Sequence, residues 1–298
     1  MSLASIMRQP ALPHSGIRPV RHMLRAIALI APCSLLLATP VAAVSLLGSA
    51  QPFAVLGAST VTNTGPTVIS GDLGVSPGTA ITGLGSITLS GALHQSDAVA
   101  IQAQADLSDA ILALWAMPVS MDLTGQVLGT GGTISILTPG VYSFASSAQL
   151  NGGLTLDAQN NPDAAFIFLI GSTLTTASAS SVTVLNGTAA TQLYWNVGSS
   201  ATLGTTTSFA GNILADQSIT LNTGASILCG RALAANGAVT LDTNIITNDC
   251  GSGDFGSFGF SGGVVPEPAS WALLIIGFGA VGAMSRHRRH QQMLPASA

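Results

Sequence analysis

The chain has 298 residues, of which 47% are hydrophobic and only 7% charged, and it contains no Lys. Between Val44 and Val264 there are eleven Asp and one Arg, which leaves a formal charge of −10. Phosphate binding needs clustered cations, so this composition excludes nucleic acid as a partner. So few charges are typical of fibrous, membrane or unusual surface proteins rather than of cytosolic enzymes.

Residues 1–43 have the pattern of a secretory signal peptide. Basic residues between Arg18 and Arg25 precede an apolar run from Ala26 to Ala38, and small residues up to Ala43 offer a cleavage site. A short membrane anchor is the alternative, but the run is too short to span a bilayer comfortably. The sequence therefore predicts export through the Sec pathway.

One segment has helical periodicity. Ser96 is a natural N-cap and Pro118 ends the run, which predicts a helix near Ser96 to Leu114. The apolar stripe that must be buried consists of Val99, Ala103, Leu107, Ala110, Ile111 and Leu114.

A Thr-Leu pair recurs along the second half of the chain. The pairs lie at Thr155-Leu156, Thr173-Leu174, Thr202-Leu203, Thr220-Leu221 and Thr240-Leu241. Apart from the step of 29 residues between Leu174 and Leu203, the period is about 19 residues, which suits one coil of a β-solenoid with three short strands. Side chains alternate along a strand, so inward Leu residues would leave outward Thr residues stacked in files ~4.8 Å apart.

Residues that could carry catalysis are scarce between Val44 and Val264. This stretch has one His (His94), one Arg, and neither Glu nor Lys, and no nucleophile turn is present. The segment Asp157 to Asp163 could hold Ca²⁺, but a polar corner is the simpler interpretation. The sequence therefore predicts no enzyme, no catalytic residue, no metal site and no cofactor.

Two cysteines, Cys229 and Cys250, remain after removal of the signal peptide. An exported protein can keep them paired, so a Cys229–Cys250 disulfide is predicted, worth roughly 3 kcal/mol by chain entropy. Two buried thiols are the alternative.

The C-terminal part is built from three signals. A Gly/Ser-rich linker over 251–264 precedes Pro266, Glu267 and Pro268, an apolar run and a basic cluster from Arg286 to Arg289. Residues 265–290, with their short transmembrane stretch, closely resemble the PEP-CTERM sorting signal of Gram-negative bacteria, and 291–298 form a tail. The resemblance implies processing by an exosortase at the triplet, transient insertion in the inner membrane, and delivery to the cell surface or extracellular matrix. A plain membrane anchor is the alternative.

The stretches Phe53–Gly83, Thr138–Gly187 and Leu193–Asn244 resemble the bacterial and fungal ice-binding protein family. The resemblance covers roughly Ser49 to Cys250 and implies a mostly β domain over 44–250. Its fold would be a right-handed parallel β-helix of triangular section, with one long α-helix packed alongside.

The family's ice-binding motif is Thr, then Ala or Gly, any residue, and Thr or Asn. Thr64 to Thr67 matches it, Thr223 to Ser226 matches except for the final Ser, and Thr175 to Ser178 departs further. Together with the Thr-Leu pairs, this gives the candidates for an ice-binding face: Thr64, Thr67, Thr173, Thr202, Thr220, Thr223 and Thr240.

The sequence therefore predicts an exported, surface-associated protein that binds ice crystals through a flat Thr-rich face. A regular, uncharged lattice of hydroxyl and methyl groups could hold water in an ice-like arrangement. The alternative is a structural or adhesive protein of the envelope or exopolymer matrix, with the same fold and no affinity for ice.

Overall fold

A computed structural model describes residues 46–188 and 190–248. The predicted signal peptide (1–43), linker (251–264), sorting signal (265–290) and tail (291–298) lie outside these residues, as does Cys250. The predictions for those parts, and the exact limits 44–250 of the folded domain, stay predictions.

The described residues are mostly β. They form one α-helix, α1 (Ala98–Trp115), two 3₁₀ turns (Gly48–Ala50 and Leu84–Ser86), and 23 strands: β1 Phe53–Gly57, β2 Thr60–Thr64, β3 Thr67–Ser70, β4 Asp72–Val75, β5 Ala80–Thr82, β6 Ile87–Leu89, β7 Leu93–Gln95, β8 Met121–Asp122, β9 Val127–Leu128, β10 Ile136–Leu137, β11 Gly140–Phe144, β12 Ala148–Leu150, β13 Gly153–Asp157, β14 Ala165–Ile170, β15 Leu174–Thr176, β16 Ser181–Leu185, β17 Gln192–Val197, β18 Ala201–Leu203, β19 Ser208–Ala215, β20 Ile219–Leu221, β21 Ser226–Ala234, β22 Val239–Asp242 and β23 Ile245–Thr247.

These strands wind into a parallel β-helix with three faces, which confirms the predicted fold class. The threonine face is one sheet of eight strands, β9-β12-β15-β18-β20-β22-β2-β5. The mixed face consists of β10, β13, β16, β23, β3, β6 and the first parts of β19 and β21. The helix face consists of β8, β11, β14, β17, β1, β4, β7 and the second parts of β19 and β21. β19 passes from the mixed face to the helix face between Ala210 and Gly211, and β21 does so between the paired positions Leu228 and Gly230.

The order of the coils along the β-helix differs from the order of the chain. The first coils, built from β1 to β7, stack on the last ones, because β2 pairs with β22, β1 with β21 and β3 with β23. Helix α1 then carries the chain from β7 at one end of the helix face to β8 at the other. Its 18 residues span ~27 Å, and the loop from Ala116 to Ser120 covers the remaining distance.

The interior is filled by stacked apolar side chains. Tyr142, Phe168, Trp195 and Phe209 form a column with ring centroids 5.4, 3.9 and 4.9 Å apart. Trp195 is fully buried, and its indole N–H donates to the Ala210 carbonyl at 3.1 Å. Because each coil repeats the inward positions of its neighbour, this packing fixes the register of all three faces.

Helix α1 packs on the helix face, as predicted, with two differences in detail. Its N-cap is Asp97, whose carboxylate accepts from the Ala100 N–H at 2.9 Å, whereas the predicted cap, Ser96, has a positive φ of 51°. Val99 is 44% exposed, and Ala100 takes its place in the buried stripe.

The predicted period of 19 residues holds only for part of the coil stack. Paired positions step by 18 residues from Thr202 to Thr220 and by 20 from Thr220 to Thr240, but by 27 from Thr175 to Thr202. The Thr155-Leu156 pair lies on β13 of the mixed face, so its distance from the next pair is not a coil length.

Candidate threonine lattice

Six threonines stand side by side on the threonine face. The strand register pairs Thr175 with Thr202, Thr202 with Thr220 and Thr220 with Thr240. Thr240 then pairs with Thr62, and Thr62 with Thr82. We call this row of six residues the threonine file. Neighbouring strands lie ~4.8 Å apart, so the file presents a hydroxyl and a methyl group at that repeat.

Alternation along each strand produces the file. Leu174, Leu203, Leu221 and Leu241 are at most 1% exposed and fill the core, as the Thr-Leu pattern predicts. Their neighbours Thr175, Thr202, Thr220 and Thr240 point to the other side of the sheet, where Thr175 and Thr240 are exposed and Thr202 and Thr220 are half-buried. A β-branched residue such as Thr also has few side-chain rotamers, so the methyl and hydroxyl positions are well defined.

The hydroxyls of the file are available to solvent. Within residues 46–188 and 190–248, none of the six makes a hydrogen bond to another protein group. The adjacent positions differ, because Thr173 donates to the Ser147 hydroxyl at 2.8 Å, and the Ser218 hydroxyl accepts from the Ala238 N–H at 3.1 Å. Those flanking hydroxyls link successive coils, whereas the file keeps its hydrogen-bonding capacity for water.

Of the seven candidates from the sequence, the structure places three in the file: Thr202, Thr220 and Thr240. Thr173 is half-buried just before β15 and bonds to Ser147. Thr64 is exposed at the end of β2, where its hydroxyl donates to the Leu241 carbonyl at 3.3 Å.

Two candidates taken from the family motif do not lie in the file. Thr67 is 1% exposed and points into the interior, where its hydroxyl donates to Asn63 at 2.6 Å, so it cannot contact ice in this fold. The motif fails there because β3 belongs to the mixed face, one corner beyond Thr64. Thr223 is exposed at the predicted corner, and its hydroxyl donates to the Asp242 carboxylate.

The sequence reasoning missed three members of the file: Thr62, Thr82 and Thr175. Thr175 follows Leu174 instead of preceding it, so the Thr-Leu search selected Thr173 instead. Thr62 alternates with the buried residues Val61 and Asn63, which a search for period-two alternation would have detected. The strand of Thr82 is at the end of the sheet, where Ile81 is only half-buried.

The file carries no charge. The acidic residue nearest to the file on these strands is Asp242, at the C-terminal end of β22. It is paired with Thr64 of β2 and accepts hydrogen bonds from Thr223 and Thr243. No other acidic residue of the described part of the chain is paired with the file, and hydrogen bonds lower the pKa of several of them. In the polar corner after β13, the Asn186 side chain and the Gln159 N–H hold the pKa of Asp157 below its ordinary value.

Among the described residues no group of three His, Cys, Asp or Glu side chains could hold a metal ion. His94 contacts the Asp97 carboxylate through Nδ1 at 2.8 Å and packs on Phe53, which places it at the N-terminus of α1. Cys229 is disulfide-bonded, but its predicted partner Cys250 lies outside the described residues, so that pairing stays a prediction.

The mixed face has no comparable row. Its outward positions combine Thr88, Thr155 and Thr183 with large apolar residues, and the exposed ones include Val68 (41%), Leu228 (41%), Ile245 (52%) and Ile136 (65%). Two of these, Ile245 and Val68, are direct strand neighbours. Side chains of such different length and polarity do not form a regular surface.

Over residues 46–188 and 190–248, no helix combines the length and the hydropathy that crossing a membrane requires. The apolar run of the predicted sorting signal is not part of that range.

Comparison with known proteins identifies the family of this chain. The profile of a family described as ice-binding-like matches residues 55–247, and a PEP-CTERM protein-sorting motif matches residues 264–289. A protein of Nostoc sp. (strain HG1), named an ice-binding protein, is 52% identical over 248 residues, which cover 83% of this chain and 88% of the relative.

Two solved structures of ice-binding proteins share the architecture. One, from an Antarctic biological consortium, has 45% identity and a TM-score of 0.62 over 67% of this chain and 89% of its own. The other, from the Antarctic ascomycete Antarctomyces psychrotrophicus, has 38% identity and a TM-score of 0.64 over 69% of this chain and 98% of its own. With the family profile matching most of its length and a close relative across four-fifths of it, the chain belongs to the ice-binding-like family.

Proposed function

We propose that the protein binds ice crystals through the threonine file. The observation that carries the proposal is the alignment of six threonines on adjacent strands whose hydroxyls have no hydrogen-bond partner among residues 46–188 and 190–248. The relatives' names support it, since the Nostoc protein and the two solved structures are described as ice-binding proteins.

The chemistry of the file suits a solid water surface. Each hydroxyl can donate one hydrogen bond and accept others, and each methyl group occupies the space beside it without competing for water. Repeated every ~4.8 Å, these groups can hold neighbouring waters in a regular arrangement before contact with the crystal. A charged side chain would orient water around itself, and the file has none.

Rigidity supports the same function. On strands β15, β18, β20, β22 and β2 the inward neighbours of the file are buried, and each of these strands has a paired strand on both sides. The lattice is therefore ordered before binding, and little conformational entropy is lost when ice is engaged.

The location of the protein is part of the proposal. The PEP-CTERM motif over 264–289 supports export and sorting at the cell surface. We infer processing by an exosortase, with the apolar run held in the inner membrane until processing or kept there as an anchor, in a Gram-negative bacterium. Ice held at the envelope or in the exopolymer would then be the partner.

The test compares the same substitution on two faces. Thr220→Tyr places a bulky ring in the middle of the file, and Thr183→Tyr, at an exposed outward position of β16 on the mixed face, is the matched control. We expect Thr220→Tyr to abolish most of the thermal hysteresis and ice recrystallisation inhibition of the exported protein, because neighbouring waters lose their register. Thr183→Tyr should retain wild-type activity.

Circular dichroism and thermal unfolding show whether both variants remain folded, which we expect because outward substitutions change stability little. Equal activity of the two folded variants would place the ice-binding surface elsewhere. A wild-type protein without any effect on ice growth would instead favour a structural or adhesive role in the matrix.

A further inference from the structure

The threonine file ends abruptly inside its own sheet. The register continues beyond Thr175 to Gln149 on β12 and to Val127 on β9. Both occupy the outward position that Thr occupies on the next six strands. The sheet therefore has eight strands, but the regular lattice covers only six of them.

Gln149 breaks the lattice by its length and its chemistry. Its side chain is exposed, carries two methylene groups before its amide, and replaces a fixed hydroxyl and methyl by a flexible amide. A long side chain with several rotamers cannot keep water at the ~4.8 Å repeat and must lose rotamer freedom against a flat crystal.

A shallow hollow lies beside this position. It has a volume of about 240 Å³ and is lined by Gln149, Leu150, Asn151, Thr175, Thr176 and Ala177. At ~30 Å³ per molecule it can hold several waters. Two amide side chains border it, and that of Asn151 donates to the Gly131 carbonyl at 3.2 Å, so the water here meets different chemistry from the water along the file.

We propose that Gln149 sets the limit of the ice-contacting lattice and keeps the activity of the protein below what its sheet can support. This inference rests on the proposed function. It adds a residue that determines how much of the face matches the crystal: Gln149→Thr lengthens the file from six residues to seven on a strand that is already in register with Thr175.

The backbone at position 149 suits a threonine. Gln149 lies between Ala148 and Leu150, which are at most 1% exposed and point inward, so a threonine at 149 faces outward as Thr175 does. Within the described residues the Gln149 side chain makes no hydrogen bond, so its replacement breaks none. Threonine also suits a strand better than glutamine, since β-branched residues pack well on a pleated surface.

The experiment measures the exported wild type and three variants at equal molar concentrations. Gln149→Thr extends the file, Gln149→Ala removes the long side chain without adding a hydroxyl, and Ile136→Thr adds a threonine to the mixed face at a position that is 65% exposed. We expect Gln149→Thr to lower the concentration needed for half-maximal recrystallisation inhibition roughly twofold or more. Ile136→Thr should leave it unchanged, and Gln149→Ala should lie between wild type and Gln149→Thr.

The outcomes separate this inference from the function on which it rests. If the wild type is active, Thr220→Tyr is inactive and Gln149→Thr shows no gain, the inference is overturned and the proposed function stands. A loss of activity in folded Gln149→Ala would also overturn it, because Gln149 itself would then contribute to contact with ice. An equal gain from Ile136→Thr would show that added threonines act without regard to the file. An inactive wild type would remove both proposals together.

Discussion

The threonine face and the helix face share one scaffold but present opposite outward surfaces. On the helix face the outward residues are large, and Tyr194, Leu214 and Leu233 are fully buried beneath α1 and the N-terminal segment. In the threonine file the outward residues are small and alike, and no described residue packs over them. The inward residues are equally apolar on both, so the outward positions alone determine whether a face packs against protein or meets water.

Polar groups follow the same division. On the helix face several are paired: the Asn196 amide donates to the Ile111 carbonyl at 3.1 Å, and Arg231 donates to Asn212 at 2.8 Å, whereas Asn196 Oδ1 and Gln104 Oε1 have no hydrogen-bond partner among the described residues. Burial makes an unpaired polar group costly, and pairing removes that cost. In the threonine file the hydroxyls need no protein partner because water satisfies them.

The largest effect should come from the same charge placed on each face. Leu214→Asp puts a carboxylate on β19 under α1. Thr202→Asp puts one on β18, in the threonine file. We expect Leu214→Asp to reduce the free energy of unfolding by ~4 kcal/mol or more, enough to prevent folding, because a buried unpaired charge is left. Thr202→Asp should cost ~1 kcal/mol or less but should remove activity on ice.

Urea denaturation followed by circular dichroism measures the two costs, with Thr183→Asp on the mixed face as a further control. Similar losses of stability for Leu214→Asp and Thr202→Asp would mean that the helix does not bury its face as the structure shows.

An intermediate effect is expected at the corner where β21 passes from the mixed face to the helix face, beside Cys229. Reduction of the exported protein should lower the free energy of unfolding by ~3 kcal/mol, because the unfolded chain gains freedom. Activity on ice should persist below the unfolding temperature, since Cys229 is not on the threonine face. Peptide mass spectrometry without reduction should recover a peptide joining Cys229 to Cys250, and alkylation of both thiols in native, unreduced protein would exclude that bond.

The smallest effect concerns the stability of the protein at low pH and the Asp106 carboxylate on α1. Desolvation acts to raise the pKa of Asp106, but hydrogen bonds from the Ser49 N–H at 2.6 Å and from Gln102 at 2.7 Å outweigh it and hold the pKa below its ordinary value. A carboxyl group whose pKa is lower in the folded than in the unfolded state stabilises the fold at pH values above its unfolded-state pKa. That stabilisation is lost as the pH falls through the folded-state pKa.

Stability should therefore decline below about pH 4, and Asp106→Asn should flatten part of that decline. Only part is expected, because hydrogen bonds also lower the pKa values of Asp97, Asp122 and Asp157. Thermal unfolding between pH 2 and pH 7 measures the effect, with Asp109→Asn on the exposed side of the same helix as control. An unchanged acid limb in Asp106→Asn would show that the contact with Ser49 does not hold the carboxylate in its charged form.

Local patterns in the sequence predicted what depends on local alternation. Thr202, Thr220 and Thr240 were found because each precedes a leucine that fills the core, and the helix was found from its apolar stripe. The fold class followed from the same periodicity and was supported by the family resemblance.

Long-range pairing determined the rest and could not be read from the chain. Thr62 joins the file because β2 pairs with β22, and no local sequence pattern indicates that the first coils stack on the last. Thr67 was misplaced because a four-residue motif can cross a corner: Thr64 ends a strand of one face, and Thr67 begins a strand of the next with its side chain inward.

The stacking of the first coils on the last has a consequence for how the protein matures. Thr62 and Thr240 are direct neighbours although 178 residues separate them along the chain, so this contact is among the most distant in sequence. At ribosomal speed roughly 10 to 35 s pass between the synthesis of the two strands, during which β2 keeps an unpaired edge that can recruit other chains. Pairings of such high contact order also form slowly. Closure of the β-helix thus joins the two parts of the threonine file in a late event, and a chain cut short before β22 lacks the β2–β22 pairing and with it the continuous lattice.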